Sequence, residues 1–293
     1  MTRSDGWLEI VHERTHAHLP RAALFDFDGT LSLIRQGWQD VMIPMMVDIL
    51  LAAPRAEGRA VVEQVVREFV AELTGRQTVY QMIRLAEEVT QRGGVPREPL
   101  DYKHEYLRRL DVRIAERVKG LENRTLDPGQ FLVPGSLEFL EELSRRGVAI
   151  YCASGTDESY ARHEAELLGV NRFFIGGLRG AIDDYKRFSK QLVIQSIISE
   201  CALKGEELVV AGDGFVEIQE GAAVDAVTLG LATDEQLLLD AIAASSSIQN
   251  PKSKIQNVAV DSWKRTRLIT AGADVILPDF RRADVLVRWL FAE

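Results

Sequence analysis

A short stretch near the start of the chain, Leu24-Phe25-Asp26-Phe27-Asp28-Gly29-Thr30-Leu31, constrains the fold more than any other. The apolar residues Ala22 to Phe25 are followed by two carboxylates and a glycine, a pattern that predicts a buried strand ending in a loop. In open α/β sheets the ligand crevice lies beyond the carboxyl ends of the strands. The two aspartates are therefore predicted to face a site rather than a core.

Asp26 and Asp28 place two negative charges close together. Such carboxylates repel one another unless a cation lies between them, which favours a bound divalent metal ion. Taken as Asp-x-Asp-Gly alone, the pattern describes ordinary loop acids before a turn glycine equally well. The whole string Asp-Phe-Asp-Gly-Thr-Leu, directly after a hydrophobic strand, favours the functional interpretation.

At this point the sequence resembles the haloacid dehalogenase (HAD) superfamily, because Asp26, Asp28, Gly29 and Thr30 match its D-x-D-G-T signature at every position. The resemblance implies that Asp26 is the nucleophile that takes up a phosphoryl group. It implies that Asp28 is the general acid and base, and it places Thr30 among the substrate-binding residues. Mg²⁺ is the cofactor that it implies.

A second motif follows the apolar run Val148 to Ala153, where the chain reads Ser154-Gly155-Thr156. A hydroxyl group followed by glycine at a strand end can donate a hydrogen bond to a phosphate oxygen. The same residues also describe a helix cap. The resemblance makes Ser154 the phosphate-binding hydroxyl, and we expect Gly155 to bind substrate beside it.

A third strand, predicted at Glu207 to Ala211, ends in Gly212-Asp213-Gly214. A carboxylate there supplies a further hard-oxygen ligand of the kind that Mg²⁺ prefers. The stretch looks like the last HAD motif, which implies a metal site formed by Asp26, Asp28 and Asp213. Glu217 is expected behind these ligands, and whether it contacts the metal stays open.

Lys186 and Lys190 are candidates for the single active-site cation of HAD enzymes. We favour Lys190 because it begins a helix predicted to end at Cys201, as in phosphoserine-phosphatase-like members, although an exposed lysine is the default for either. Arg35 is a further candidate for substrate binding, on the ground that it lies close to the catalytic loop.

Composition limits the partners. The net charge of −9 and the acidic balance of the 293 residues argue against a nucleic-acid surface. The first twenty residues hold Glu9, Glu13 and three histidines, so we expect no signal peptide. The most apolar run, 41–53, includes Asp48 and is too short to span a bilayer. We expect a cytoplasmic protein without a membrane partner.

The order of predicted elements favours an α/β fold, a Rossmann-like doubly wound parallel sheet with an inserted all-helical cap domain. Residues 20–34 and 131–293 are assigned to the core and 35–130 to the cap, which would lie over the mouth of the site. We expect 1–19 to be a solvated N-terminal extension and 243–257 a low-complexity surface insertion. A short strand is predicted around Phe173 to Ile175.

The function implied by the resemblance is Mg²⁺-dependent hydrolysis of a small phosphomonoester metabolite through an aspartyl phosphate. A phosphomutase of the β-phosphoglucomutase type and a catalytically silent binding protein are the alternatives, and the silent protein is disfavoured because no motif residue is lost. We expect a small phosphorylated metabolite as the partner and a monomer or homodimer. The substrate itself stays open.

Overall fold

The computed structural model describes residues 3–4, 7–14, 17–238, 240 and 260–293, which are built around one eight-stranded sheet. The strands are β1 (Arg3–Ser4), β2 (Glu9–Ile10), β3 (Ala22–Phe25), β4 (Ala149–Asp157), β5 (Gly177–Ala181), β6 (Leu208–Gly212), β7 (Val227–Leu231) and β8 (Val275–Leu277). Their order in the sheet is β1-β2-β8-β7-β6-β3-β4-β5. Strands β3 to β8 pair in parallel, and β1 and β2 are antiparallel at one edge.

Helices cover both faces of this sheet. Those of the core are α5 (Ser136–Arg145), α6 (Glu158–Leu167), α7 (Lys190–Glu200), α8 (Phe215–Ala223), α9 (Ser262–Ala271) and α10 (Ala283–Leu290). Alternate residues of β3 point to opposite faces, so Leu24 packs in a cluster with Ile194 of α7 while Phe25 contacts Phe139 of α5 with ring centroids 5.9 Å apart. The predicted α/β class is confirmed.

The central strand β3 lies between β4 and β6, each of which runs parallel to it. The chain passes from β3 to one neighbour and later returns to the other side, which makes the end of β3 a point where the strand order reverses. Crevices form at such points in doubly wound sheets. The carboxyl ends of β3, β4 and β6 therefore open onto one crevice.

Between β3 and β4 the chain forms four helices, which we call the helical insert. They are α1 (Gln39–Leu51), α2 (Arg59–Leu73), α3 (Thr78–Gln91) and α4 (Pro99–Glu122). Their apolar residues include stripes at three-to-four spacing, such as Val62, Val66 and Phe69 of α2, and the buried side chains pack the helices on one another. Their assignment to a separate domain over 35–130 stays a prediction.

The prediction of a solvated N-terminal leader is wrong for part of residues 1–19. Glu9–Ile10 pairs with Val275–Ile276 of β8, and Leu8 is buried. The guanidinium of Arg14 lies 2.9 Å from a carboxylate oxygen of the buried Asp274. The edge of β8 offers unpaired main-chain groups, which this segment satisfies. The predicted insertion at 243–257 lies outside the described residues.

The strand predicted around Phe173 to Ile175 is also wrong. Asn171–Phe173 forms one turn of 3₁₀ helix, and the strand begins later, at Gly177, where φ is +105°. Aromatic residues suggest a strand, but here Phe173 and Phe174 bury their rings in the core from a turn. Among the described helices, none is long and apolar enough to cross a bilayer.

Candidate active site

The three strand ends meet at a cavity of about 110 Å³ between the sheet and the helical insert. From the core it is lined by Asp26, Asp28, Gly29, Ser32, Gly155, Thr156, Lys190, Asp213 and Glu235. From the chain entering the insert and from its helices it is lined by Arg35, Gln36, Trp38, Met42, Thr74, Gly75, Arg76, Thr78, Gln81 and Tyr106. Most of the residues predicted from the motifs thus surround one space.

Asp26 and Lys190 form a buried ion pair at this cavity. The ammonium of Lys190 lies 2.8 Å from Oδ2 of Asp26 and 2.7 Å from Oε2 of Glu217. Burial raises the pKa of Asp26, and the charge of Lys190 opposes that rise. Lys190 begins α7, as the sequence predicts, whereas Lys186 is exposed in the preceding turn.

Asp213 approaches the first motif so closely that residue 29 must be glycine. Gly29 has φ +74°, and a Cβ atom there would lie 2.3 Å from Oδ2 of Asp213. Thr30 is fully buried and its hydroxyl oxygen accepts a hydrogen bond from the amide of Asp213, at 3.0 Å. Thr30, predicted to bind substrate, therefore joins two loops and does not line the cavity.

Asp26, Asp213 and Glu217 each offer a carboxylate oxygen, and these oxygens lie within 4.8 Å of one another. Oxygen donors of this kind suit Mg²⁺, so the residues fit the implied metal. The group contains Glu217 and not Asp28, whose carboxylate faces the loop after β4. Glu217 is fully buried and also accepts from the amide of Gly214, at 2.6 Å.

The Asp28 carboxylate faces the loop after β4. Its Oδ2 accepts hydrogen bonds from the hydroxyls of Thr156, at 2.8 Å, and Ser154, at 3.3 Å. Its Oδ1 is buried without a hydrogen-bond partner among the described residues, and Nε of Arg35 lies 4.0 Å from it. Burial raises the pKa of Asp28, against the charge of Arg35 and the Thr156 hydrogen bond. An unpaired carboxyl oxygen at a cavity can exchange a proton with a ligand.

Ser154, predicted to bind phosphate, lies behind the cavity wall and does not line it. Strand β4 continues through Asp157 with a register shift after Ala153, and this irregularity turns Ser154 inward. Ser154 is fully buried and accepts a hydrogen bond from the Thr156 amide, at 3.1 Å. Gly155 and Thr156 line the cavity instead. Thr156 carries the hydroxyl that sequence reasoning missed there.

Arg35 is buried at the cavity, but Glu164 of α6 already binds its guanidinium. Nε and Nη2 of Arg35 donate to the Glu164 carboxylate, with distances of 2.7 to 3.2 Å. The guanidinium also lies 5.0 Å from the ring centre of Tyr160. Substrate binding by Arg35 stays a prediction, and the contacts present here join the start of the insert to the core.

Two further charged residues beside the cavity, Lys264 and Glu235, were not predicted. The ammonium of Lys264 lies 2.8 Å from Oδ2 of Asp213 and 2.6 Å from Oε1 of Glu235. Burial lowers the pKa of Lys264, but the two carboxylates more than reverse this and raise it overall. Neither residue belongs to a recognisable motif, since Glu235 follows β7 and Lys264 lies in the first turn of α9.

The helical insert closes the cavity at the loop between α2 and α3. A Cβ atom on Gly155 would lie 2.8 Å from the carbonyl oxygen of Arg76, so this loop touches the core directly. Nε2 of Gln77 donates to the carbonyls of Tyr185 and Phe188 at 2.9 and 2.7 Å. The insert thus forms one wall of the site.

Solved structures with the same fold include proteins described as a phosphatase and as a phosphomutase. One, described as a predicted phosphoglycolate phosphatase from Haemophilus somnus 129PT, is 15% identical, with a TM-score of 0.55 over 92% of this chain and 98% of that one. A β-phosphoglucomutase from Clostridium difficile is 12% identical, with a TM-score of 0.53 over 75% and 87%. CbbY from Rhodobacter sphaeroides, in complex with phosphate, is 14% identical, with a TM-score of 0.52 over 90% and 96%.

We find no match to this chain among curated proteins. A family model, in contrast, matches residues 20–225, which include all three strand ends and the helical insert. That model describes the haloacid dehalogenase-like hydrolases. The match covers more than half of the chain and all the motif residues quoted above. The chain therefore belongs to the haloacid dehalogenase-like hydrolase family.

Proposed function

We propose that this hydrolase is a Mg²⁺-dependent phosphatase that cleaves a small phosphomonoester through an aspartyl phosphate on Asp26. The observation that carries the proposal is the Asp26–Lys190 pair at the cavity, with the Asp28 carboxyl two residues further along the chain. A nucleophile, a fixed cation and a proton donor are what transfer from a phosphomonoester requires.

In the first step an oxygen of the Asp26 carboxylate attacks phosphorus as the bond to the ester oxygen breaks. Asp28 donates its proton to the departing oxygen, so the leaving group is a neutral alcohol. Oδ1 of Asp28 has no hydrogen-bond partner among the described residues, so it can carry the proton that this step needs. Lys190 stays beside the carboxylate and stabilises the charge on the transferring oxygens.

In the second step Asp28, now ionised, takes a proton from water, whose oxygen attacks phosphorus. The bond between phosphorus and Asp26 breaks, which releases inorganic phosphate and restores the carboxylate. Mg²⁺ bound by Asp26 and Asp213 would neutralise charge on the phosphoryl oxygens. Gly155 and Thr156 line the cavity wall on which the phosphate would lie, with the Thr156 hydroxyl donating to Asp28.

The size of the cavity supports a small substrate. About 110 Å³ lies between the carboxylates and the wall formed by the insert, which acts as a cap in this proposal. Trp38, Met42 and Tyr106 bring apolar surface to that wall, whereas Thr74 and Thr78 bring hydroxyls. A macromolecular substrate would have to displace the whole wall.

The experiment is Mg²⁺-dependent phosphate release from a panel of small phosphomonoesters by the wild type and the Asp26→Asn variant. Release that disappears in the variant and in EDTA supports the proposal. If the folded wild type releases nothing from any ester, the phosphatase proposal fails. An isomerisation assay primed with a sugar bisphosphate then tests the phosphomutase alternative.

A further inference from the structure

We propose that Lys264 is a positioning residue for the metal ligand Asp213, held in place by Glu235. The inference rests on the proposed function, because it gives Asp213 the role of a ligand. Lys264 would fix one oxygen of the Asp213 carboxylate so that the other oxygen is presented to the ion. It does so from α9, which lies beyond the residues that the family model covers.

The contacts of Asp213 support this division between its two oxygens. Oδ2 accepts from the ammonium of Lys264, at 2.8 Å. No donor among the described residues is hydrogen-bonded to Oδ1, although Asp213 is largely buried, with 13% of its side chain exposed. Carboxylates that bind metals are commonly oriented by a second hydrogen bond of this kind.

Lys264 is itself held on two sides. Its ammonium lies 2.6 Å from Oε1 of Glu235, and its side chain is 15% exposed. Its main-chain amide donates to the Asp261 side chain, which caps α9 and fixes the first turn of that helix. The ammonium therefore has little freedom to leave Asp213.

The chain that supplies Glu235 and Lys264 is joined near both residues. The amide of Asp261 donates to the carbonyl of Ala232 at 2.9 Å, and Val260 forms an antiparallel bridge with Thr233. These contacts connect the two flanks of residues 241–259. Main-chain pairing outside residues 241–259 therefore brings Glu235 and Lys264 close to Asp213.

Two physical roles for Lys264 predict opposite results. If its charge only neutralised the acidic cluster, its removal would make the site more negative and strengthen cation binding. If it orients Asp213, removal weakens binding in spite of the added negative charge. The loss of one such orienting contact typically lowers metal affinity about 10- to 100-fold.

The test is a titration with Mn²⁺, which prefers the same oxygen ligands as Mg²⁺. Electron paramagnetic resonance measures the concentration of free Mn²⁺ at each point. We compare wild type, Lys264→Met and the double variant Lys264→Met/Glu235→Gln, which keeps the net charge of the wild type. Lys119→Met, on an exposed stretch of α4, is the control. Circular dichroism establishes that each variant is folded.

We expect at least about 10-fold weaker Mn²⁺ binding in both Lys264 variants and wild-type binding in the control. The rate at saturating Mg²⁺ should largely recover, because the ion restores the ligand geometry once bound. Unchanged or tighter binding by Lys264→Met would overturn the inference while leaving the phosphatase proposal standing. If the wild type binds no Mn²⁺, or Asp213→Asn binds it as well as the wild type, the proposed metal site fails first.

Discussion

The two walls of the cavity differ in their chemistry. The core wall holds Asp26, Asp28 and Asp213 together with the ammonium group of Lys190, and the ammonium group of Lys264 lies behind this wall against Asp213. These groups come from strand ends and helix starts, and ion pairs hold most of them. A wall of this kind fixes charges in space, which suits a chemical step.

The wall formed by the helical insert has few charges. Trp38, Met42, Thr78 and Tyr106 contribute aromatic, thioether and hydroxyl groups. Arg76 lies at its edge, exposed, with the guanidinium 6.0 Å from the ring centre of Tyr80. We therefore expect substitutions in the core wall to change the rate of the chemical step and substitutions in the wall formed by the insert to change the choice of substrate.

The largest effect is expected from Asp28→Asn on the core wall. An amide cannot protonate the leaving alcohol, so turnover of an alkyl phosphate should fall by about 10²- to 10⁴-fold. With p-nitrophenyl phosphate the leaving group departs as nitrophenolate and needs no proton, so the variant should release about one equivalent of nitrophenolate in a burst before slow turnover. Rapid-mixing absorbance measures the burst. An equal loss on both substrates without a burst would contradict the role of Asp28 as the acid.

Lys190→Met should have the next largest effect. Its loss leaves Asp26 and Glu217 as buried carboxylates without their cation, which costs about 3–5 kcal/mol of unfolding free energy. The rate should fall by about 10²- to 10³-fold, as when one preorganised donor is removed.

Lys186→Met is the matched control for that variant, because Lys186 lies four residues away and is exposed. It should keep the rate and the urea midpoint of the wild type. The reverse pattern, with Lys186→Met inactive and Lys190→Met active, would move the active-site cation to the other lysine.

A smaller effect is expected from Thr78→Val on the wall formed by the insert. The change keeps the shape of the side chain but removes a hydroxyl that lines the cavity. We expect the ratio of kcat/KM between a hydroxylated and an apolar phosphomonoester to change by about 10-fold, with Mn²⁺ affinity unchanged. Thr90→Val, on the exposed side of the same helix, is the control. A loss of rate that is uniform across all esters would mean that this wall takes part in the chemistry.

Much of this arrangement could be predicted from the sequence because strand ends carry a strong local signal. Asp26, Asp28 and Asp213 each follow a run of apolar residues, and parallel strands bring such ends together. Lys190 could be preferred over Lys186 because it starts a helix. These inferences need local pattern and topology, without side-chain detail.

The remaining residues depend on contacts between distant parts of the chain. Lys264 follows Asp213 by 51 residues and lies in a helix whose sequence gives no reason to single it out. Thr156 reaches the cavity because β4 shifts register after Ala153. No residue type in this stretch predicts that shift. The short strand β2 forms because the edge of β8 is available to it.

The last effect is on stability and not on turnover, and it concerns the junction between the two walls, where Glu164 binds Arg35. Burial raises the pKa of Glu164 to about 7, and the charge of Arg35 only partly opposes this. At pH values between 4.5, the ordinary pKa of a glutamate, and about 7, the folded protein therefore binds more protons than the unfolded chain. This contribution to the unfolding free energy is fully present below pH 4.5 and is lost as the pH rises through 7.

Glu164→Gln has no such titration. As the pH rises from 4.5 to 8, the unfolding free energy of the wild type should therefore fall relative to that of the variant, by at most about 3 kcal/mol. Urea unfolding at several pH values measures this difference. Glu166→Gln, exposed on the same helix, should follow the wild type throughout. A difference that is independent of pH would mean that Arg35 keeps Glu164 ionised across the range, and that the two walls are joined by a permanent ion pair.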